Sequence, residues 1–208
     1  MDGTVVCWGL NNYRQTNTPL GLTNVVTIAA GLYHTLALRE DGTLVAWGAG
    51  TNTYVSNPHY GQSMVPLDVS NVVAIAAGDY HSLALRRDGT IRVWGAGTVT
   101  NFAPNYGQAI MPPGLTNVIA LAGGSYSSLV LIGEPVFASP AAVPHLASGV
   151  FRLPIATLSG RAYELESRDD LATGNWRAAP LVPGGGAVQD MTDLSATNSQ
   201  RFYRVRQW

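Results

Sequence analysis

The sequence contains no lysine; all 12 basic residues are arginine. Charged residues make up 12% of the chain, against about a quarter in ordinary globular domains. The net charge is −1, so no electrostatic field draws nucleic acid or an anionic membrane surface. Cysteine occurs once, at Cys7, which excludes a disulfide framework within the chain and any multi-cysteine metal site. There is no apolar run of about 18 residues, so no membrane-spanning helix is expected. The opening residues, Met1-Asp2-Gly3-Thr4-Val5-Val6, lack the basic and apolar regions of a signal peptide. No stretch keeps a 3.6-residue apolar period, which argues against amphipathic helices. Zinc-protease, nucleophile-elbow, P-loop and dinucleotide-binding motifs are all missing. The expectation is therefore a non-enzymatic chain with no cofactor and no metal ligand set.

What is present is repetition. Asp-Gly-Thr, a β-type run and Trp-Gly occur at Asp2 to Gly9, Asp41 to Gly48 and Asp88 to Gly95. Asn-Val, a small apolar run and Gly-x-Tyr occur at Asn24 to Tyr33, Asn71 to Tyr80 and Asn117 to Tyr126. Tyr-Gly-Gln occurs at Tyr60-Gly61-Gln62 and Tyr106-Gly107-Gln108, with a degenerate copy at Tyr13-Arg14-Gln15. The three tryptophans of the marker are 39 and 47 positions apart. The unequal spacing comes from insertions at Ala49–His59 and Ala96–Asn105, which map to one face of a repeat structure.

Each repeat reads as short strands. Val25–Ala30, Val72–Ala77 and Val118–Ala122 are small apolar and β-branched runs. His34–Leu38, Ser82–Leu85 and Ser127–Ile132 alternate, and Val5–Trp8, Leu44–Trp47 and Ile91–Trp94 follow an Asp-Gly hairpin signal. The blocks resemble the regulator-of-chromosome-condensation repeat family, most closely across Val73–Gly95, and the resemblance covers about residues 1–132. It implies a β-propeller of four-stranded antiparallel blades. The compact first period is similar to a secreted bacterial branch that includes a protein inhibitor of β-lactamases.

The array holds two whole repeats and two halves, fewer than the roughly four to eight blades of closed propellers. It stops where Gly133-Glu134-Pro135 replaces Asp-Gly-Thr. Either Met1 is an internal start, with upstream repeats and a signal peptide outside this sequence, or chains associate and complete each other's half-units as a homo-oligomer.

Residues 136–147 are rich in Ala, Pro and Ser and read as a linker. The remainder, 148–208, shows strand patterns at Gly149–Pro154, Tyr163–Ser167, Trp176–Ala178, Ala187–Asp190 and Arg201–Arg206, which suggest a small β-sandwich. This segment resembles the fibronectin-type-III-like modules that end many large secreted bacterial proteins. The resemblance implies an extracellular or cell-surface setting. The expected fold class is all-β, a partial propeller over 1–135 followed by a small β-sandwich.

The candidate residues divide by repeat position. His34, His81, Trp8, Trp47 and Trp94 recur in register and read as blade packing, and Cys7 aligns with Ala46 and Val93 as a small apolar core site. His59 and His145 read as solvated, and Asp169-Asp170 as a solvated turn rather than a calcium loop. Aromatics on loops, by contrast, make a plausible recognition surface. These are Tyr54, His59, Tyr60, Phe102 and Tyr106 at the insertions, and Tyr33, Tyr80 and Tyr126 after a turn glycine. The leading expectation is a secreted or surface module that binds a protein or glycan through these loops. A structural or oligomerisation segment of a larger surface protein is the alternative. A propeller enzyme or guanine-nucleotide exchange factor ranks below both, and neither nucleic-acid binding nor membrane insertion is expected.

Overall fold

The computed structural model describes residues 3–51, 57–98, 103–133, 136–138, 140–147, 150–158, 161–170, 175–196 and 201–208. No helix occurs among them. The chain divides into two compact units, Met1–Glu134 and Pro135–Trp208.

In the first unit, β1 (Val25–Ala30), β2 (His34–Arg39) and β3 (Leu44–Gly48) form one antiparallel sheet in sequence order. β4 (Val72–Ala77), β5 (His81–Arg86) and β6 (Ile91–Gly95) repeat it, and β7 (Val118–Gly123) and β8 (Ser128–Ile132) form a third, two-stranded sheet. The unit is a partial propeller of antiparallel blades.

The repeat markers are turn chemistry. Asp41 Oδ1 accepts both the Thr43 amide, at 2.9 Å, and its hydroxyl, at 2.6 Å, while Gly42 supplies φ +79°. Asp88, Gly89 and Thr90 build the same turn in the next blade. Asn24, Asn71 and Asn117 stand at φ 57°, 52° and 55°, a left-handed conformation that asparagine tolerates. Each is followed by a register shift, between Val25 and Thr27, Val72 and Ala74, and Val118 and Ala120. Leu36, Leu38, Leu83 and Leu85 fill the blade interiors with no exposed surface.

Blades approach closely at Gly31 and Gly78. A Cβ on Gly78 would lie 2.4 Å from the Gly124 carbonyl oxygen of the next blade and 2.1 Å from the His81 ring. Gly31 faces the Gly78 carbonyl and the His34 ring in the same way.

Two expectations fail in this unit. Among the described residues the two complete blades have three strands, not four: the stretches after Trp-Gly carry turns and the prolines Pro19, Pro66 and Pro112, which offer no amide to a ladder. Val5–Trp8 also forms no ladder among the described residues, because no strand lies beside it. As a result Trp8 is 84% exposed, whereas its repeat equivalents Trp47 and Trp94 are each 6% exposed.

The second unit is a β-sandwich. One sheet is β10 (His145–Ala147), β11 (Val150–Ala156) and β15 (Val188–Asp193). The other runs β13 (Arg177–Ala178), β12 (Ala162–Arg168), β16 (Phe202–Gln207) and β9 (Val136–Phe137), with β14 (Val182–Pro183) also paired to β12. Leu153, Ile155 and Met191 of the first sheet meet Tyr163, Leu165 and Val205 of the second. The stretch read as a linker is not one at its ends: β9 and β10 add short edge strands, and Pro140 bridges Ile155. Its prolines break the segment without preventing edge pairing, which Pro tolerates.

Candidate functional site

Two kinds of turn lie at the same end of each blade. The turn between the first and second strands carries Tyr33, Tyr80 or Tyr126. The Tyr-x-Gln turn carries Tyr60 or Tyr106 after the third strand of the complete blades, and Tyr13 after the unpaired segment 3–9. In each Tyr-x-Gln turn the glutamine side chain accepts the tyrosine amide, at 2.9 Å in Gln15, 2.8 Å in Gln62 and 2.9 Å in Gln108. Gln62 Nε2 and Gln108 Nε2 also donate to the carbonyls of Pro58 and Pro104, at 2.6 and 2.5 Å.

The glutamine backbone then fastens the turn to the next blade. Gln15 O accepts Thr35 Oγ1 and Trp47 Nε1, both at 3.0 Å. Gln62 O accepts Ser82 Oγ at 2.8 Å and Trp94 Nε1 at 3.0 Å. Gln108 O accepts Ser128 Oγ at 2.7 Å. The tyrosine of one repeat is thereby set against the tyrosine of the next.

The rings form two ranks. Tyr13–Tyr33, Tyr60–Tyr80 and Tyr106–Tyr126 pair edge-to-face, with centroids 5.2, 5.6 and 5.2 Å apart. Tyr33–Tyr80 at 5.4 Å and Tyr80–Tyr126 at 6.0 Å link the pairs across the blades. His59 joins one end, 5.8 Å from Tyr13. Such ring pairs contribute roughly 0.5–1.5 kcal/mol each beyond area burial, so the array holds itself rigid.

Exposure is graded along the array. Tyr80, enclosed by three other tyrosines, is 9% exposed, whereas Tyr126 and Tyr106 are 44% and 56% exposed. Tyr13, Tyr33, Tyr60 and His59 are half-buried. Burial, followed by a hydrogen bond with Tyr33, pushes the Tyr80 phenol up to about 12, and burial also raises that of Tyr60. The Tyr60 and Tyr80 hydroxyls are thereby kept neutral at ordinary pH.

Of the residues singled out from sequence, Tyr33, Tyr60, Tyr80, Tyr106, Tyr126 and His59 come together here. Tyr54 and Phe102 lie outside the described residues. Tyr13 was not singled out, although its Tyr-x-Gln marker was visible; Arg14 there adopts φ 64°, the role of Gly61 and Gly107. His59 is not solvated as expected: its Nδ1 accepts the Gly50 amide at 3.0 Å, as Asn105 Oδ1 accepts that of Gly97 at 2.8 Å. It fastens the insertion loop.

The recurring histidines are interior groups. His34 Nε2 lies 2.8 Å from Ser82 Oγ of the next blade. Burial, with the neighbouring His81 second, lowers the His34 pKa to about 3; burial likewise lowers that of His81, against a backbone contact with Ser127. Among the described residues no three His, Cys, Asp or Glu side chains form a metal-holding group.

The second unit carries an ionic cluster. Arg201 donates to Asp169 at 2.8 Å and to Asp193 at 2.6 Å, and Arg177 lies 3.4 Å from Asp169. Burial pushes the Asp193 carboxyl up, but bonds from Ser195, Arg201 and Tyr203 outweigh it and hold the group at about 2. Asp169, read from sequence as solvated, is thus paired with arginines. Arg204 stacks 4.1 Å from the Trp176 ring centroid and bonds Glu166.

Residues 25–54 and 72–108 match the family model described as the regulator of chromosome condensation (RCC1) repeat. No curated protein matches the chain. Among solved structures, Prp20p from Saccharomyces cerevisiae, studied for its binding to Gsp1p and histones, is 20% identical, with a TM-score of 0.44 over 96% of this chain and 50% of that one. Yeast RCC1 (Prp20) bound to Kap60 is also 20% identical, with a TM-score of 0.37 over 86% of this chain and 38% of that one. The chain thus spans half the length, or less, of these two structures. The matched residues hold both complete three-stranded blades of the first unit, which are similar to this repeat.

Proposed function

We propose that the chain is a non-catalytic protein-binding module whose working surface is the tyrosine face of the first unit. The observation that carries this reading is the meeting of six tyrosines from three repeats in one continuous array, open at Tyr106 and Tyr126. Tyrosine supplies a large amphipathic contact at low entropic cost, and rigidly held aromatic residues dominate protein interfaces. An extracellular or cell-surface setting belongs to the same proposal. It rests on the resemblance of the second unit to fibronectin-type-III-like modules and of the repeats to the secreted bacterial branch.

The test uses the immobilised full chain, wild type and a Tyr106→Ala/Tyr126→Ala double variant, exposed to extract and culture fluid of the source organism. Proteins retained by the wild type are expected to fall by roughly tenfold or more on the variant, as for loss of hot-spot residues. Equal retention by both refutes the assignment. A glycan array run in parallel decides the ligand class: glycan binding lost in the double variant, without protein capture, overturns the protein reading in favour of a glycan.

A further inference from the structure

The last sheet of the first unit ends in a cavity of about 280 Å³. Ile91, Val93, Gln108, Leu115 and Val130 are among the residues that line it. In repeat register these correspond to Val5, Cys7, Gln15, Leu22 and Ala37. Of those five, Leu22 and Ala37 share one apolar cluster with Trp47, Val5 and Cys7 pack against that cluster, and the Gln15 carbonyl receives the Trp47 indole N–H at 3.0 Å. The cavity is therefore built as a tryptophan socket. The third repeat has no tryptophan for it, because Gly133-Glu134-Pro135 replaces the Asp-Gly-Thr strand.

A matching tryptophan stands elsewhere in the chain. Residues 3–9 carry the Gly-Thr-to-Trp-Gly part of the same marker, and Trp8 and Val6 are exposed. The segment is already held in blade-edge position. The Val25 amide donates to Gly3 O at 3.2 Å, as Val72 does to Gly42 and Val118 to Gly89. On the receiving side, Leu129, Leu131 and Ile132 of β8 are each more than half exposed. Neither segment 4–9 nor β8 carries a charged side chain, so nothing repels their approach.

We propose that β8 of one copy takes up segment 4–9 of a second copy, with Trp8 of the second copy seated in the cavity and its indole donating to Gln108 O. The register follows from the complete blades, where Leu85 faces Ile91, Leu83 faces Val93 and Ser82 faces Trp94. Val5 of the second copy then faces Leu131, Cys7 faces Leu129 and Trp8 faces Ser128. This is head-to-tail addition of a strand to an open sheet edge, a mode in which backbone hydrogen bonds give affinity and a side-chain pocket gives register. Tyr106 and Tyr126 of the proposed protein-binding face line the same cavity, so the two surfaces adjoin there; Trp8→Ala, which leaves every tyrosine in place, separates failure of one reading from failure of the other.

The register can be trapped covalently. Leu36 and Ala46 occupy a pair between the bonded pairs marked by Ala49 N to Tyr33 O and Arg39 N to Thr43 O. Side chains are nearest in such pairs, and Leu129 with Cys7 is the equivalent. Cys7 is the only cysteine, so a Leu129→Cys variant tests one defined link. Mild oxidation of the full-length variant is expected to give a Cys7 link to position 129 of another copy, identified by peptide mapping. Leu131→Cys, a diagonal neighbour roughly 7–8 Å away, is expected to give none.

A second measurement needs no substitution: hydrogen exchange of β8 in the wild-type chain is expected to slow as concentration rises, with β5 unchanged. Trp8→Ala is expected to weaken association by roughly tenfold or more, as for a buried aromatic anchor. A monodisperse monomer at micromolar concentration, with β8 exchange independent of concentration, overturns the proposal. So does association in which the 129 and 131 variants link equally.

Discussion

At the scale of single residues, His34 shows how burial fixes protonation. It is enclosed between two blades, and its folded-state pKa lies at about 3, below its unfolded value of 6.5. Between those values the unfolded chain binds the extra proton, so stability is full above pH 6.5 and is lost as pH falls. From pH 6.5 to 5 the loss through His34 alone amounts to about 2 kcal/mol. Urea denaturation of the first unit at several pH values is expected to show this slope, and His34→Gln to reduce it; an unchanged slope in that variant would contradict the assignment. Gly78 makes a steric counterpart. With the Gly124 carbonyl 2.4 Å from any added Cβ, Gly78→Ala must move two blades apart. A cost of about 2 kcal/mol or more is expected in the same denaturation assay.

At the scale of elements, the Tyr-x-Gln turn organises the site. Gln62 is wholly buried and satisfies both the Tyr60 amide and the Pro58 carbonyl. Gln62→Ala strands those groups and is expected to cost about 2–3 kcal/mol. It is also expected to loosen the Tyr60–Tyr80 contact, read as greater mobility of those rings by NMR; unchanged stability would refute the pinning role. The turns explain what was legible beforehand. Asp-Gly-Thr, Asn-Val and Gly-x-Tyr encode local backbone geometry, and strands in the two complete blades lie close to where the pattern puts them. The tyrosines were visible as repeat markers, but their convergence was not, because it depends on glutamine carbonyls reaching across blades. His59 was misread for a related reason: its insertion differs in sequence from that of Asn105, while the backbone bond each makes is the same. Trp8 differs in the opposite direction, since its repeat position implies burial, while no strand lies beside it among the described residues.

At the scale of the whole molecule, the first unit holds two complete blades, with an exposed apolar segment at one edge and a socketed two-stranded sheet at the other. Exposed sheet edges of this kind pair with whatever strand fits them. The second unit closes its own core between two sheets. The central claim concerns the end of the blades where the tyrosines meet. A hydrogen-exchange footprint of a captured partner on the full chain tests it most directly. The account predicts protection of the turns at 31–34, 78–81 and 124–127 and of the Tyr-x-Gln turns at 60–62 and 106–108. Protection confined to the opposite turns at 41–43 and 88–90, or to the second unit, would contradict it.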